Sequence, residues 1–301
     1  MGLTNRPSSG DDGAVRNEFD AWSTLFTAMV LQAMPFLVLG VVLSALVGVL
    51  VPTRVWDWVL RRRPVVAVPA AAACGALVPG CECTTVPLAG RLTDRGVSFA
   101  AAMSFALGSP ALNPIVLLAT AAAFAGSPEM VLARFVASFL AVLVVGAYLT
   151  ASGMQPPYRS GHAHVEGGGV LRRLSGSAQH DLAHTAGLVV LGAAIAASLR
   201  VLLPDGVLPS LADDLPVAVA TMAVLAVVMA LCSESDAFVA ATFVLFPSTA
   251  VLTFMVVGPL VDIRLLLMYR SAFGTRAAAA IGSFAMIGAV TSSLVVGSLL
   301  L

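Results

Sequence analysis

Residues 103–120 read MSFALGSPALNPIVLLAT, and residues 252–269 read LTFMVVGPLVDIRLLLMY. Shifted by 149 residues, the two stretches lie over one another without a gap. Phe105 meets Phe254, Pro110 meets Pro259, Asn113 meets Asp262, and Leu117–Leu118 meets Leu266–Leu267. The same shift brings Cys83 onto Cys232. Self-similarity at a fixed offset is the mark of an internal repeat. Both stretches are apolar, yet both carry proline and a polar residue at their centre. A proline removes one backbone donor and frees a carbonyl a turn earlier, and hydrocarbon cannot satisfy that carbonyl.

The surrounding composition says where these stretches sit. Of 301 residues, 59% are apolar and 11% charged, against roughly 45–50% and 25% in a soluble domain. All 16 basic residues are arginine, and 16 acids balance them to a net charge of zero. Without a basic excess, nucleic acid is excluded as an electrostatic partner. The chain reads as an all-α polytopic membrane protein.

Residues 1–20 are polar and predict a disordered tail. The first apolar run, 21–51, is too long for a signal-peptide core and long enough to cross a bilayer core of ~30 Å. Further apolar runs lie at 64–90, 97–125, 130–150, 183–203, 216–246, 249–270 and 276–300. They predict about eight transmembrane helices. A polar linker at 151–182, with Pro156, Pro157 and Gly167–Gly169, divides them into 21–150 and 183–301. These are two four-helix halves, and four spans per half imply copies running in the same direction. The linker reads as a tether; alternatively His162, His164, His180 and His184 mark a metal site, since the last two are four apart on one helix face. Arg61–Arg63 and Arg159, Arg172 and Arg173 fall in loops on opposite sides of this arrangement, so positive charge does not orient it.

Four apolar runs are interrupted at mid-depth. The first carries Pro79, Gly80, Cys81, Glu82, Cys83, Thr84, Thr85 and Pro87; the next, Ser109, Pro110, Asn113 and Pro114. In the second half stand Cys232, Ser233, Glu234, Ser235 and Asp236, then Gly258, Pro259 and Asp262. Isolated kinks can simply shape a bundle. Interruptions at matching positions of two halves instead point to a transport site at their interface, near the midplane. An ionisable residue there costs at least ~2.5–3.5 kcal/mol and marks function by default.

Thiolates suit soft metal and metalloid centres, which makes Cys81, Cys83 and Cys232 candidate solute ligands; buried cysteine is also an ordinary packing residue. Glu82, Glu234 and Asp236 are candidate proton carriers, because burial disfavours the charged carboxylate. Asp262 either joins the solute site, with Asn113 and Pro110, or forms a structural ion pair with Arg264 near the membrane edge. No phosphate-binding loop, nucleophile triad or zinc-protease pair occurs. The chain is therefore read as a non-enzyme, with neither cofactor nor metal assigned.

The stretches PGCECTTVPLAGRLTDRG with ALGSPALNPIVLL, and LCSESDAFVAATFVLFP with FMVVGPLVDIRLLLM, resemble a bacterial family of eight-helix predicted permeases that includes the organoarsenical efflux permeases. The resemblance covers roughly 75–125 and 231–269. It carries over Cys81, Cys83, Pro87, Pro110, Asn113 and Pro114, and in the second half Cys232, Glu234, Asp236, Gly258, Pro259 and Asp262. Glu82 stands where the family tends to have a small residue, and Arg264 where it tends to have lysine. The resemblance implies transport by a multi-pass protein of a bacterial inner or plasma membrane; export of a small soft or thiol-reactive solute at the cysteines, with protons coupled through the carboxylates, is the leading reading of the residues themselves. A homo-oligomer or a second permease subunit is the implied protein partner. Two other readings stand beside it: a thiol–disulfide electron carrier using paired intramembrane cysteines, and an uncoupled channel or permease-complex subunit.

Overall fold

The computed structural model describes residues 64–158 and 214–301, apart from 79, 81 and 95, with scattered positions in 20–31 and 186–198. The tail, the linker histidines, Arg61–Arg63, Arg159, Arg172, Arg173 and most of the runs 21–51 and 183–203 lie outside the described residues. Ten helices are described: α1 Pro64–Ala76, α2 Glu82–Asp94, α3 Phe99–Leu112, α4 Pro114–Ala123, α5 Pro128–Ser152, α6 Leu215–Met229, α7 Asp236–Ala240, α8 Ser248–Val257, α9 Ile263–Phe273 and α10 Thr275–Leu300. Among the described residues there is no strand. Residues 99–123, 128–152 and 275–300 are long and apolar enough to cross a membrane. The helices recur at the offset seen in the sequence: α3 starts at Phe99 and α8 at Ser248, α4 at Pro114 and α9 at Ile263, each 149 residues apart.

The run 64–90 does not form one crossing. Helices α1 and α2 have 13 residues each, about 20 Å of rise apiece, against a core of ~30 Å. Helix α1 runs alongside α3 in the same direction. Val68 and Ser104 come together at Gly146, Ala72 meets Gly108, and the Val78 carbonyl accepts from Ser109 Oγ at 2.8 Å. Helix α2 turns back: Thr85 Oγ1 reaches the Ala106 carbonyl, and α2 closes on α3 through Val97 N–H donating to the Leu92 carbonyl. The two helices are thus a hairpin whose tip reaches mid-depth and whose ends share one face. The run 216–246 is likewise broken, with α6 packed along α8 and α7 against α4 and α8.

Glycine lets this hairpin sit tight on α3. A Cβ on Gly75 would run into the Phe105 backbone carbonyl, and one on Gly108 would meet that of Ala72. Small residues allow such approach where no hydrophobic force joins helices in lipid. Gly75→Leu is therefore expected to destabilise the solubilised protein by about 1–3 kcal/mol, read as a lower unfolding midpoint in detergent.

The matched segments α3–α4 and α8–α9 run in opposite directions, whereas four spans per half imply copies running in the same direction. The start of α3 and the end of α9 meet, with Phe99 edge-on to Phe273 at 5.0 Å. The segment after α5 joins them there, since Gln155 accepts from Phe99 N–H at 3.2 Å and Tyr158 lies 5.7 Å from Phe273. We call this end 1. At the far end, end 2, Thr249 in the first turn of α8 sits against Gly297 in the last turns of α10. So α3–α4 passes from end 1 to end 2 while α8–α9 passes from end 2 to end 1. Helices α5 and α10 pack against each other between the halves, with Gly288 resting against Ala141 and Val144.

Candidate functional site

The prolines create the site's framework. Pro110 cannot donate to the Ala106 carbonyl a turn earlier, and Thr85 Oγ1 reaches that carbonyl at 3.4 Å. Pro259 leaves the Met255 carbonyl in the same position, and Arg134 Nη2 donates to it at 3.3 Å. The chain restarts a helix after each break with a side-chain cap. Asn113 Oδ1 accepts from Ile115 N–H at 2.9 Å, and Asp262 Oδ1 from Leu265 N–H at 2.6 Å. The matched Asn and Asp of the two stretches thus do the same local work.

Two buried ion pairs cross between the halves. Arg134, fully buried on α5, donates to Asp236 Oδ2 at 2.7 Å. Its guanidinium also reaches Thr120 Oγ1 at 2.8 Å and the Ser233 carbonyl at 3.3 Å. Arg264 at the start of α9 donates to Glu82 Oε1 at 3.0 Å and Asp262 Oδ2 at 3.1 Å. Asp262 and Arg264 are therefore paired and buried at the break between α8 and α9.

The tips of the two hairpins converge. Glu82 at the first tip lies within electrostatic reach of Glu234 and Asp262, and Asp236 at the second tip within reach of Glu82 and Glu234. Four carboxylates therefore gather around two guanidiniums. Glu82 Oε2 and Asp236 Oδ1 are buried and accept no hydrogen bond among the described residues, although buried polar atoms are normally satisfied. Ser233 Oγ sits 3.5 Å from Glu234 Oε2. The Tyr269 hydroxyl, buried and without a hydrogen-bond partner among the described residues, lies within electrostatic reach of Asp262 and Glu82.

The cysteines divide. Cys232 is buried in the second tip, and its carbonyl accepts from Ser235 N–H, Asp236 N–H and Ser235 Oγ. Just before it, Ala230 holds φ of +45°, a left-handed conformation that costs a non-glycine residue about 1–2 kcal/mol. Cys74 is exposed on the outer side of α1. Cys81, Pro79 and the side chain of Cys83 lie outside the described residues. Among the described residues no group of three or more His, Cys, Asp or Glu is placed to hold a metal.

Sequence reading missed Arg134. Its signal was present, because it stands alone among apolar residues six positions past the helix start, and an ionisable residue inside a span is a functional marker. Thr120 and Tyr269 carried no comparable signal.

Long apolar spans, broken helices and a buried polar centre between two halves define a multi-pass membrane permease. The family model described as predicted permease matches residues 18–300, and the chain belongs to that family. It is 30% identical over 269 residues to the Bacillus subtilis "UPF0718 protein YcgR", covering 87% of this chain and 92% of that one. It is 29% identical over 261 residues to the Streptococcus mutans "Putative two-component membrane permease complex subunit", covering 84% and 87%. No solved structure matches it.

Proposed function

We propose that the chain is a secondary permease built from two inverted copies of one unit, exporting a small soft or thiol-reactive solute of the organoarsenical kind. The observation that carries this reading is the convergence of the two hairpin tips around Glu82, Glu234, Asp236 and buried Cys232. Discontinuous helices meeting near the midplane are how transporters expose polar backbone to a solute. Cys232 supplies a soft ligand, Cys81 and Cys83 join it in the proposal on sequence grounds alone, and Asn113, Pro110 and Asp262 shape the breaks. Glu82, Glu234 and Asp236 carry the coupling protons in this proposal, since among the described residues they stand with Asp262 around two guanidiniums at the point where the segments meet. A second subunit belongs to the proposal as well, because the Streptococcus mutans relative is named as a complex subunit.

The test is uptake of a trivalent methylated arsenical into inverted membrane vesicles, with and without a pH gradient. Gradient-stimulated uptake is expected, and most of it should disappear when all four cysteines become serine. Undiminished uptake by that variant removes the soft-ligand part of the proposal. Uptake unaffected by Glu234→Gln and Asp236→Asn replaces coupled transport with a channel.

A further inference from the structure

The two ion pairs lie on opposite sides of the convergence point. Glu82 and Arg264 stand at the first turns of α2 and α9, which pack together and both run toward end 1. On the other side α4 packs against α7. There Arg134, on the end-2 half of α5, holds Thr120 of α4 and Asp236 of α7 in one grip. On each side, then, one helix from each half packs against the other, and each contact carries one buried ion pair. The pairing is reciprocal. A first-half carboxylate meets a second-half arginine toward end 1, and a first-half arginine meets a second-half carboxylate toward end 2.

We propose that Glu82–Arg264 and Arg134–Asp236 are the two gates of the transport cycle and open in alternation. This rests on the permease reading above. Separating α2 from α9 opens the tips to end 1, and separating α4 from α7 opens them to end 2. A buried ion pair suits a gate because its charges are stable either in contact or fully hydrated, and costly in between. Packed interfaces of this sort switch between discrete arrangements rather than deforming continuously. Alternation follows if one half rocks against the other about α5 and α10, since motion that parts one closure presses the other shut.

Hydrogen–deuterium exchange on the full chain in lipid nanodiscs tests this. Glu82→Gln should speed exchange in α2 and α9 about tenfold, the population shift expected from losing one gate contact, and should slow it in α4 and α7. Asp236→Asn should do the reverse. Faster exchange on both sides, or loosening without slowing on the opposite side, overturns the proposal. Should either variant fail to fold by size exclusion, Arg264→Gln set against the charge-preserving Arg264→Lys makes the same comparison, with the reciprocal pattern expected only for the former. No solute is needed. Absent transport with reciprocal exchange therefore counts against the permease reading, while intact transport with changes of one sign removes the gates alone.

Discussion

Arg134→Leu should lower the stability of the detergent-solubilised protein by about 3–5 kcal/mol, the scale on which removing one member of a buried ion pair acts. The carboxylate of Asp236 is 2% exposed and, among the described residues, keeps no other hydrogen-bond donor once the guanidinium is gone. The change also strips the Met255 carbonyl, already deprived of its helical donor by Pro259, and the Ser233 carbonyl at the second tip. The double variant Arg134→Leu/Asp236→Leu should recover much of the loss, because an apolar pair in the same volume needs no partner. Recovery should stop short of wild type, since the two carbonyls remain uncapped. Thermal unfolding followed by intrinsic fluorescence gives the measurement. A double variant no more stable than the single one would show that the ion pair is not the source.

Arg264→Leu should cost a similar amount, about 3–5 kcal/mol, by a different route. Two carboxylates lose the same guanidinium, but Asp262 retains its 2.6 Å bond from Leu265 N–H, so Glu82 is the group left stranded. Its Oε2 already accepts no hydrogen bond among the described residues. Arg264→Lys keeps the charge and gives up the planar fork that addresses Glu82 and Asp262 together. It should fall between wild type and Arg264→Leu in unfolding midpoint. A lysine variant as unstable as the leucine one would mean that the fork, rather than the charge, holds the closure.

Much of the candidate site was legible as a pattern of exceptions. Glu82, Glu234, Asp236 and Asp262 stood out because a bilayer makes charge rare, and the structure places all four around the convergence of the hairpin tips. The matching of Asn113 with Asp262 was legible as well; that both cap a restarted helix follows from Asn and Asp being good N-cap acceptors. Arg134 was readable in principle, as a lone charge in an apolar helix. Its partner was not, because Asp236 is 102 positions away and nothing local ties the two.

The sequence by itself determined a multi-pass membrane protein in which two apolar stretches, 149 residues apart, carry proline and a polar residue at matching positions. Apolar length, proline and the offset of 149 residues are properties of the chain alone. It could not determine the direction of the halves. An apolar run such as 64–90 is equally consistent with one crossing and with two short helices that return to the same face, since hydropathy counts residues and not turns. Tertiary structure decided that question through contacts between distant residues, such as Val68 with Ser104 and Phe99 with Phe273. It alone also decided which charges neutralise which, because in a low-dielectric interior a charge is held by the opposite charge nearest in space, wherever that residue lies in the chain.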